Sequence, residues 1–236
     1  MPQNKRILVV EDEPDIQELI CYHLAKEGFI TLKASDGEAA LSCVEHDKPD
    51  LVLLDLMLPG VSGIDVLKTI RFTWNLPGLP VIIVSARTDE SDIITGLELG
   101  ADNYLPKPFS PKVLVANVKA LLRRTSKTDQ TNAIPSDGQL IVTGNLSIDP
   151  VRHEVSLDGQ PVGLTATEFS LLSLLATTPG RVFTRNQLIS GIRGESYPVT
   201  ERAIDVQIAT LRRKLGIGGQ AIKTVWGIGY TYQEAV

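Results

Sequence analysis

The 236-residue chain has only two cysteines, Cys21 and Cys43, and neither has a partner at metal-ligand spacing. A metal site built on them is excluded. Both thiols sit in helical patterns and read as small apolar groups, in keeping with a reducing cytoplasm. Long hydrophobic runs are also missing. No stretch approaches the roughly 18 consecutive apolar residues that a membrane-crossing helix requires. The opening residues, Met1-Pro2-Gln3-Asn4-Lys5-Arg6, lead straight into a short strand pattern without the apolar segment or cleavage site of a secretory signal, so a cytoplasmic protein is expected. The chain lacks a basic surplus as well: 23 Lys and Arg stand against 28 Asp and Glu, for a net charge of −5. That deficit is uneven. Residues 1–124 hold 13 basic and 18 acidic residues, whereas residues 139–236 hold 9 and 8. An acidic front half and a slightly basic back half permit a nucleic-acid surface in the second without arguing for one.

What the chain does have, in its front half, is a set of short apolar runs that end in polar groups. Leu51-Val52-Leu53-Leu54, bounded by Pro49-Asp50 and Pro59-Gly60, reads as a strand buried on both faces, and it ends in Asp55. Ile7-Leu8-Val9-Val10 ends in Glu11-Asp12-Glu13, Val81-Ile82-Ile83-Val84 in Ser85, and Asn103-Tyr104-Leu105 in Pro106-Lys107-Pro108. Strands are predicted near 6–10, 29–34, 51–54, 80–84 and 103–106, alternating with helices. Ile16, Leu19, Ile20 and Leu24 mark the first helical stripe; Leu114, Val118, Leu121 and Leu122 mark the last. Ser110-Pro111 supplies a helix start, and Gly28 and Gly100 stand where C-terminal caps belong. Such alternation implies right-handed crossovers and a doubly wound, five-stranded parallel sheet.

Strand ends of one parallel sheet converge on one edge, where open α/β sheets bind ligands. Glu11, Asp12, Asp55, Ser85 and Lys107 are therefore expected to meet. Three carboxylates against one ammonium leave two excess negative charges, and close carboxylates raise one another's pKa unless a cation intervenes. A hard divalent ion with oxygen ligands, Mg²⁺, answers that demand. One carboxylate then remains as a nucleophile, a known covalent use of Asp. Lys107 would neutralise a transferred phosphoryl group and the Ser85 hydroxyl would hydrogen-bond it.

Residues 125–138, Thr125 to Gly138, are polar and read as a flexible linker spanning about 20 Å root-mean-square. Beyond it the pattern changes. Leu140 to Val162 alternates apolar and polar residues around turns at Asp149-Pro150 and Asp158-Gly159, giving short antiparallel strands. Capping boxes at Thr165-Ala166-Thr167-Glu168 and Thr184-Arg185-Asn186-Gln187 open two helices. A third helix is predicted from about Glu201 to Leu215, followed by a hairpin that pairs Ile222–Val225 with Tyr230–Tyr232. Ile204, Ile208, Leu211 and Leu215 form its buried stripe; Arg202, Val206, Thr210, Arg213 and Lys214 read as the opposite face. Basic ends on such a face anchor to phosphates. Val206 in its middle suits contact with a thymine methyl in a DNA major groove. Three helices followed by a glycine-rich hairpin form an α+β winged helix-turn-helix.

The pieces Val10-Glu11-Asp12-Glu13, Leu54-Asp55-Leu56-Met57-Leu58-Pro59-Gly60, Ser85-Ala86-Arg87, Gly100-Ala101-Asp102 and Tyr104-Leu105-Pro106-Lys107-Pro108-Phe109 resemble the receiver domain of two-component response regulators, a flavodoxin-like fold, over residues 5–124. The resemblance implies that Asp55 is the phosphoacceptor, that Glu11 and Asp12 are metal-site acids with the Met57 backbone carbonyl as a further ligand, and that Ser85 and Tyr104 form a switch pair. Leu164–Leu172, Arg202–Ile208, Leu211–Leu215 and Thr224–Tyr230 resemble the effector domain of the OmpR/PhoB family of transcription factors, over residues 139–234. That adds Thr224 and Trp226 to the DNA-contacting set. It also implies a sensor histidine kinase as phosphoryl donor, double-stranded promoter DNA and RNA polymerase as partners, and a homodimer on phosphorylation. Trp226 stands where the family usually has a wing Arg, and Ala209 and Thr210 where basic residues are frequent. Ile93, Asn103, Val113 and Asn117 occupy positions that usually carry interface charges. Two other readings compete. An aspartyl-phosphate phosphohydrolase would need an acid/base beside Asp55, but Met57, two positions on, has no titratable side chain. A regulator working without phosphorylation would have no use for the complete set of five site residues.

Overall fold

The protein is described by a computed structural model over residues 5–125, 140–193 and 201–233. It divides into two compact units, residues 1–122 and 123–236. In the first, five strands alternate with five helices: β1 (Arg6–Val10), α1 (Pro14–Lys26), β2 (Ile30–Ala34), α2 (Gly37–Asp47), β3 (Leu51–Leu54), α3 (Gly63–Lys68), β4 (Val81–Ser85), α4 (Glu90–Glu98), β5 (Asn103–Pro106) and α5 (Pro111–Thr125). All strand pairs are parallel, in the order β2-β1-β3-β4-β5. Every residue of β3 and β4 is buried. Both faces of these strands are covered, which is why they read as unbroken aliphatic runs. Edge strand β2 is partly exposed and carries Thr31 and Lys33, polar residues that suit an edge.

Local signals place the helix ends. Pro14 starts α1, and the Asp36 side chain caps α2 by accepting from the Ala39 N–H at 2.8 Å. Gly28 and Gly100 take φ of +83° and +96°, as helix-ending residues do. One feature was not legible in advance. Residues Thr69–Thr73, directly after α3, form a π-helical turn closed by the Trp74 N–H to the Thr69 carbonyl at 2.8 Å. Within it Arg71 is buried while Phe72 is exposed.

The second unit begins with a four-stranded antiparallel sheet: β6 (Ile141–Thr143), β7 (Leu146–Asp149), β8 (Glu154–Leu157) and β9 (Gln160–Pro161). Helices α6 (Ala166–Thr177), α7 (Arg185–Arg193) and α8 (Glu201–Leu215) follow. A three-stranded sheet of β10 (Phe183–Thr184), β11 (Ile222–Val225) and β12 (Gly229–Tyr232) runs in the order β10-β12-β11. Both capping boxes form. Thr165 and Glu168 exchange backbone-to-side-chain bonds at the start of α6, and Thr184 and Gln187 do so at the start of α7. The core packs Leu172 and Leu175 of α6 with Leu188 of α7 and Ile204, Ile208 and Leu211 of α8. The segment expected to link the two units lies, from residue 126 on, outside the described residues. Among the described residues no helix is long and apolar enough to cross a membrane.

Candidate functional site

The carboxyl ends of β1, β3, β4 and β5 meet at one edge of the first sheet. Between β1 and β3 the chain reverses its direction of travel across the sheet, the switch point where such folds bind ligands. The Asp55 N–H donates to the Val10 carbonyl at 3.0 Å and the Glu11 N–H to the Ala34 carbonyl at 3.1 Å, so both acids are tied to neighbouring strand ends. Single ligand oxygens of Glu11, Asp12 and Asp55 all lie within 4.8 Å of one another. Glu11 and Asp55 are buried, at 2% and 3% exposure, while Asp12 is exposed at the mouth.

Lys107 closes the cluster. Its Nζ lies 2.6 Å from Asp55 Oδ2 and 2.7 and 2.8 Å from the two Glu11 oxygens. Burial raises the Glu11 pKa, and the Asp55 charge adds to that against the opposing effect of Lys107. Burial also works against the Lys107 charge, but its bonds to Asp55 and Glu11 outweigh it and hold its pKa above the ordinary value. The other Asp55 oxygen, Oδ1, accepts from the Met57 N–H at 2.9 Å. The donor set is therefore all oxygen and negatively charged, which fits a hard divalent cation.

Ser85 is fully buried and Tyr104 nearly so. They are bridged by Arg87, the last residue of the Ser85-Ala86-Arg87 piece, through its backbone. The Arg87 N–H donates to Ser85 Oγ at 3.4 Å, and the Arg87 carbonyl accepts from the Tyr104 hydroxyl at 2.7 Å. Burial pushes the Tyr104 phenol up to about 12. Two supporting residues were missed. Gln17 Nε2 donates to the Glu11 and Ala34 carbonyls at 3.0 and 2.9 Å, holding the loop after β1. Gly63 lets α3 press onto the end of β3, for a Cβ there would stand 2.0 Å from the Asp55 carbonyl oxygen. Neither has a period or motif of its own; each is visible only once the loops are folded.

In the second unit, the outward stripe of α8 consists of Arg202, Val206, Ala209 and Arg213. All are exposed except Val206, which is half-buried. Trp226 stands at the tip of the β11–β12 hairpin, 90% exposed.

Comparison with known proteins gives the family. Residues 7–119 match the family described as "Response regulator receiver domain", and residues 159–232 match "Transcriptional regulatory protein, C terminal". The chain is 41% identical over 230 residues to the phosphate regulon transcriptional regulatory protein PhoB of Escherichia coli, covering 97% of each. It is 41% identical over 229 residues to the DNA-binding response regulator MtrA of Mycolicibacterium smegmatis, covering 96% of each. The chain is a response regulator of the OmpR/PhoB family. Solved structures agree. A RitR mutant aligns over 98% of this chain and all of its own with a TM-score of 0.74 and 30% identity. The Thermotoga maritima regulator DrrB, an OmpR/PhoB homologue, covers the same shares at 0.51 and 31%. As a member of this family, the protein is a phosphorylation-activated, DNA-binding transcription regulator of a two-component system.

Two residues that read as part of the exposed face of α8 in this response regulator lie on its shoulder. Thr210 is buried, at 4% exposure. At about 100° per residue it lies roughly 80° round the helix from Arg202, on the shoulder shared with buried Ala203 and Gln207 rather than on the outward stripe. Lys214 lies further round on the same side, and its Nζ is 2.6 Å from Oε2 of the buried Glu168. Its charge is committed to neutralising the acid that also caps α6. Thr224 is half-buried, its hydroxyl oxygen accepting from Arg212 at 2.9 Å, which leaves its proton available to donate. Of the four positions that usually carry interface charges, Asn103 and Asn117 are buried and Ile93 and Val113 partly so.

Proposed function

We propose that Asp55 accepts a phosphoryl group from the phosphohistidine of a sensor kinase, and that Glu11, Asp12, Asp55 and the Met57 carbonyl hold one Mg²⁺ beside it. The observation that carries this reading is the surplus of negative charge around a buried, already oriented carboxylate: three acids within 4.8 Å and one lysine shared by two of them. The Met57 N–H fixes the rotation of the Asp55 carboxylate. Attack by Asp55 forms an oxygen–phosphorus bond as the nitrogen–phosphorus bond of the donor breaks. The ion, when bound, neutralises phosphoryl oxygens. Lys107 then turns from the Asp55 carboxylate to the new phosphoryl group, a charge-assisted bond of the stronger kind. Ser85 Oγ donates to the phosphoryl group, and because Arg87 binds both Ser85 and Tyr104, a shift at Ser85 reaches Tyr104 through one residue.

Phosphorylation shifts an existing equilibrium toward a homodimer, which brings two effector domains onto promoter half-sites about one helical turn apart. Arg202 and Arg213 contact phosphates, Val206 a thymine methyl, and Thr224 and Trp226 the sugar-phosphate backbone. RNA polymerase is the partner downstream and the cytoplasm the site of action. The chain turns over no substrate of its own; it assists only its own phosphorylation and dephosphorylation. The domain limits that go with this reading are 5–124 for the receiver and 139–234 for the DNA-binding domain. The test is labelling with acetyl phosphate and Mg²⁺. Asp55→Ala abolishes incorporation, and full labelling of that variant would reject the assignment.

A further inference from the structure

Four side chains outside the contact set tie α8 to the hairpin and to the start of α7. A single oxygen of Asp205, Oδ1, accepts from Arg185 Nε at 2.7 Å and from the Tyr230 hydroxyl at 2.6 Å. The guanidinium carbons of Arg185 and Arg212 lie 5.4 and 5.6 Å from the centre of the Tyr230 ring, within cation–π range. Arg212 continues into β11, where Nε and Nη2 donate to the Ile222 carbonyl at 3.0 and 2.7 Å and Nη2 to the Thr224 hydroxyl oxygen at 2.9 Å.

The covalent route between α8 and the hairpin is weak by comparison. It is the six-residue turn Gly216–Ala221, with three glycines, a composition that supplies little stiffness. The pairing of β12 with β10 is only two residues long. Asp205 is itself an unexpected residue here. It is partly exposed and precedes Val206, so its carboxylate stands close to the face that meets a polyanion. On that face a carboxylate repels phosphates unless it is spent on cations and hydroxyls of its own protein.

We propose that Asp205 is a positioning residue for DNA recognition: through Tyr230 and Arg185 it locks the hairpin and α8 into one rigid reader, so that Trp226 and Val206 meet the duplex at a fixed separation. The proposal rests on the DNA-binding reading above. Its benefit is pre-organisation, since a hinge frozen before binding need not be frozen on binding. Burial, followed by the bond to Asp205, raises the Tyr230 phenol to about 12, so its hydroxyl remains a donor over the working range.

The experiment uses full-length protein and a duplex enriched from random-sequence DNA by the wild type. Affinity, hydroxyl-radical footprints and thermal unfolding are measured for the wild type, Tyr230→Phe and Asp205→Asn. Tyr230→Phe keeps the ring and deletes one hydroxyl. It is expected to lower affinity about tenfold, the size of one hydrogen bond to a charged group. Protection of the backbone under the hairpin should be lost and protection under α8 kept, with the unfolding midpoint lowered by no more than that one bond accounts for. Asp205→Asn should show the same separation of the two footprints. Variants that bind and protect as the wild type does would overturn the proposal. So would a uniform fading of both footprints with a lowered unfolding midpoint, which signifies an ordinary structural bond. Failure of the wild type to enrich any duplex would instead overturn the DNA-binding reading, and the clamp with it.

Discussion

At the carboxyl edge of the first sheet Lys107 is shared by Glu11 and Asp55, with Asp12 close by. At the amino edge Arg71 is held by Asp102 at 3.1 Å, by the Gly100 carbonyl at 2.8 Å and by the Leu76 carbonyl at 2.8 Å, while Asp102 also accepts from the Val81 N–H at 3.0 Å. Both clusters are buried ion pairs, but their charge counts differ. One cation faces one anion at the amino edge, and the guanidinium fork finds an acceptor for three of its nitrogens. At the carboxyl edge Glu11, Asp12 and Asp55, with exposed Glu13 4.0 Å from Lys107, face one ammonium, and burial raises the Glu11 pKa. A balanced, fully bonded cluster locks the π-turn and two loops in place. A cluster with surplus charge suits the cation and phosphoryl group proposed above. The second unit repeats the division: Lys214 is committed to buried Glu168, whereas Arg213 is exposed.

The largest effects should separate the two edges. Lys107→Ala is expected to abolish the phosphorylation-driven gain in DNA affinity while metal binding, followed by titration with Mg²⁺, persists. A variant that still gains affinity on phosphorylation would remove the distinction between the edges. Arg71→Ala should do the reverse, costing roughly 3–5 kcal/mol in denaturant unfolding because it strands Asp102 in the interior, with Asp55 still labelled in the folded fraction. If Arg71→Ala unfolded at the wild-type midpoint, the amino-edge pair would not be structural.

In the second unit, Lys214→Ala is expected to destabilise by roughly 1–3 kcal/mol, since Lys214 is partly exposed and the stranded acid is not. Arg213→Ala should leave stability alone and weaken specific and scrambled duplexes alike, flattening the salt dependence of log K by about 0.9 per lost phosphate contact. Interchanged phenotypes would reverse the assignment. Val206→Ala should cost about 1 kcal/mol, mainly at one thymine position, read by titrating a panel of single-substituted duplexes. The last effect is alkaline. With its folded pKa raised to about 12, Tyr104 contributes stability that is fully present below the unfolded value near 10. That contribution is lost as pH rises through about 12. Tyr104→Phe should flatten the fall of the unfolding midpoint in that window; an unchanged slope would assign the shift to another group.

The gathering of Glu11, Asp12, Asp55, Ser85 and Lys107 was legible because these residues end uninterrupted apolar runs, and a parallel sheet has only one carboxyl edge on which to collect them. The five strands, their alternation with helices, the capping boxes of α6 and α7 and the limits of α8 follow from patterns only a few residues long. No pattern of that length distinguishes Arg71 from a surface arginine. Its burial depends on the π-turn and on a carboxylate 31 residues away. Gly63 is likewise an ordinary glycine until α3 settles on the Asp55 carbonyl. Thr210 and Lys214 were placed on the DNA face because helical periodicity separates inside from outside but cannot settle the shoulders, where neighbouring elements decide what is covered. Sequence by itself therefore determined most of the elements and which charges gather at the sheet edge, because both depend on local spacing. Which of those charges are sealed and which remain available was decided only by tertiary contacts, because pairing depends on atoms brought within about 3 Å from distant parts of the chain.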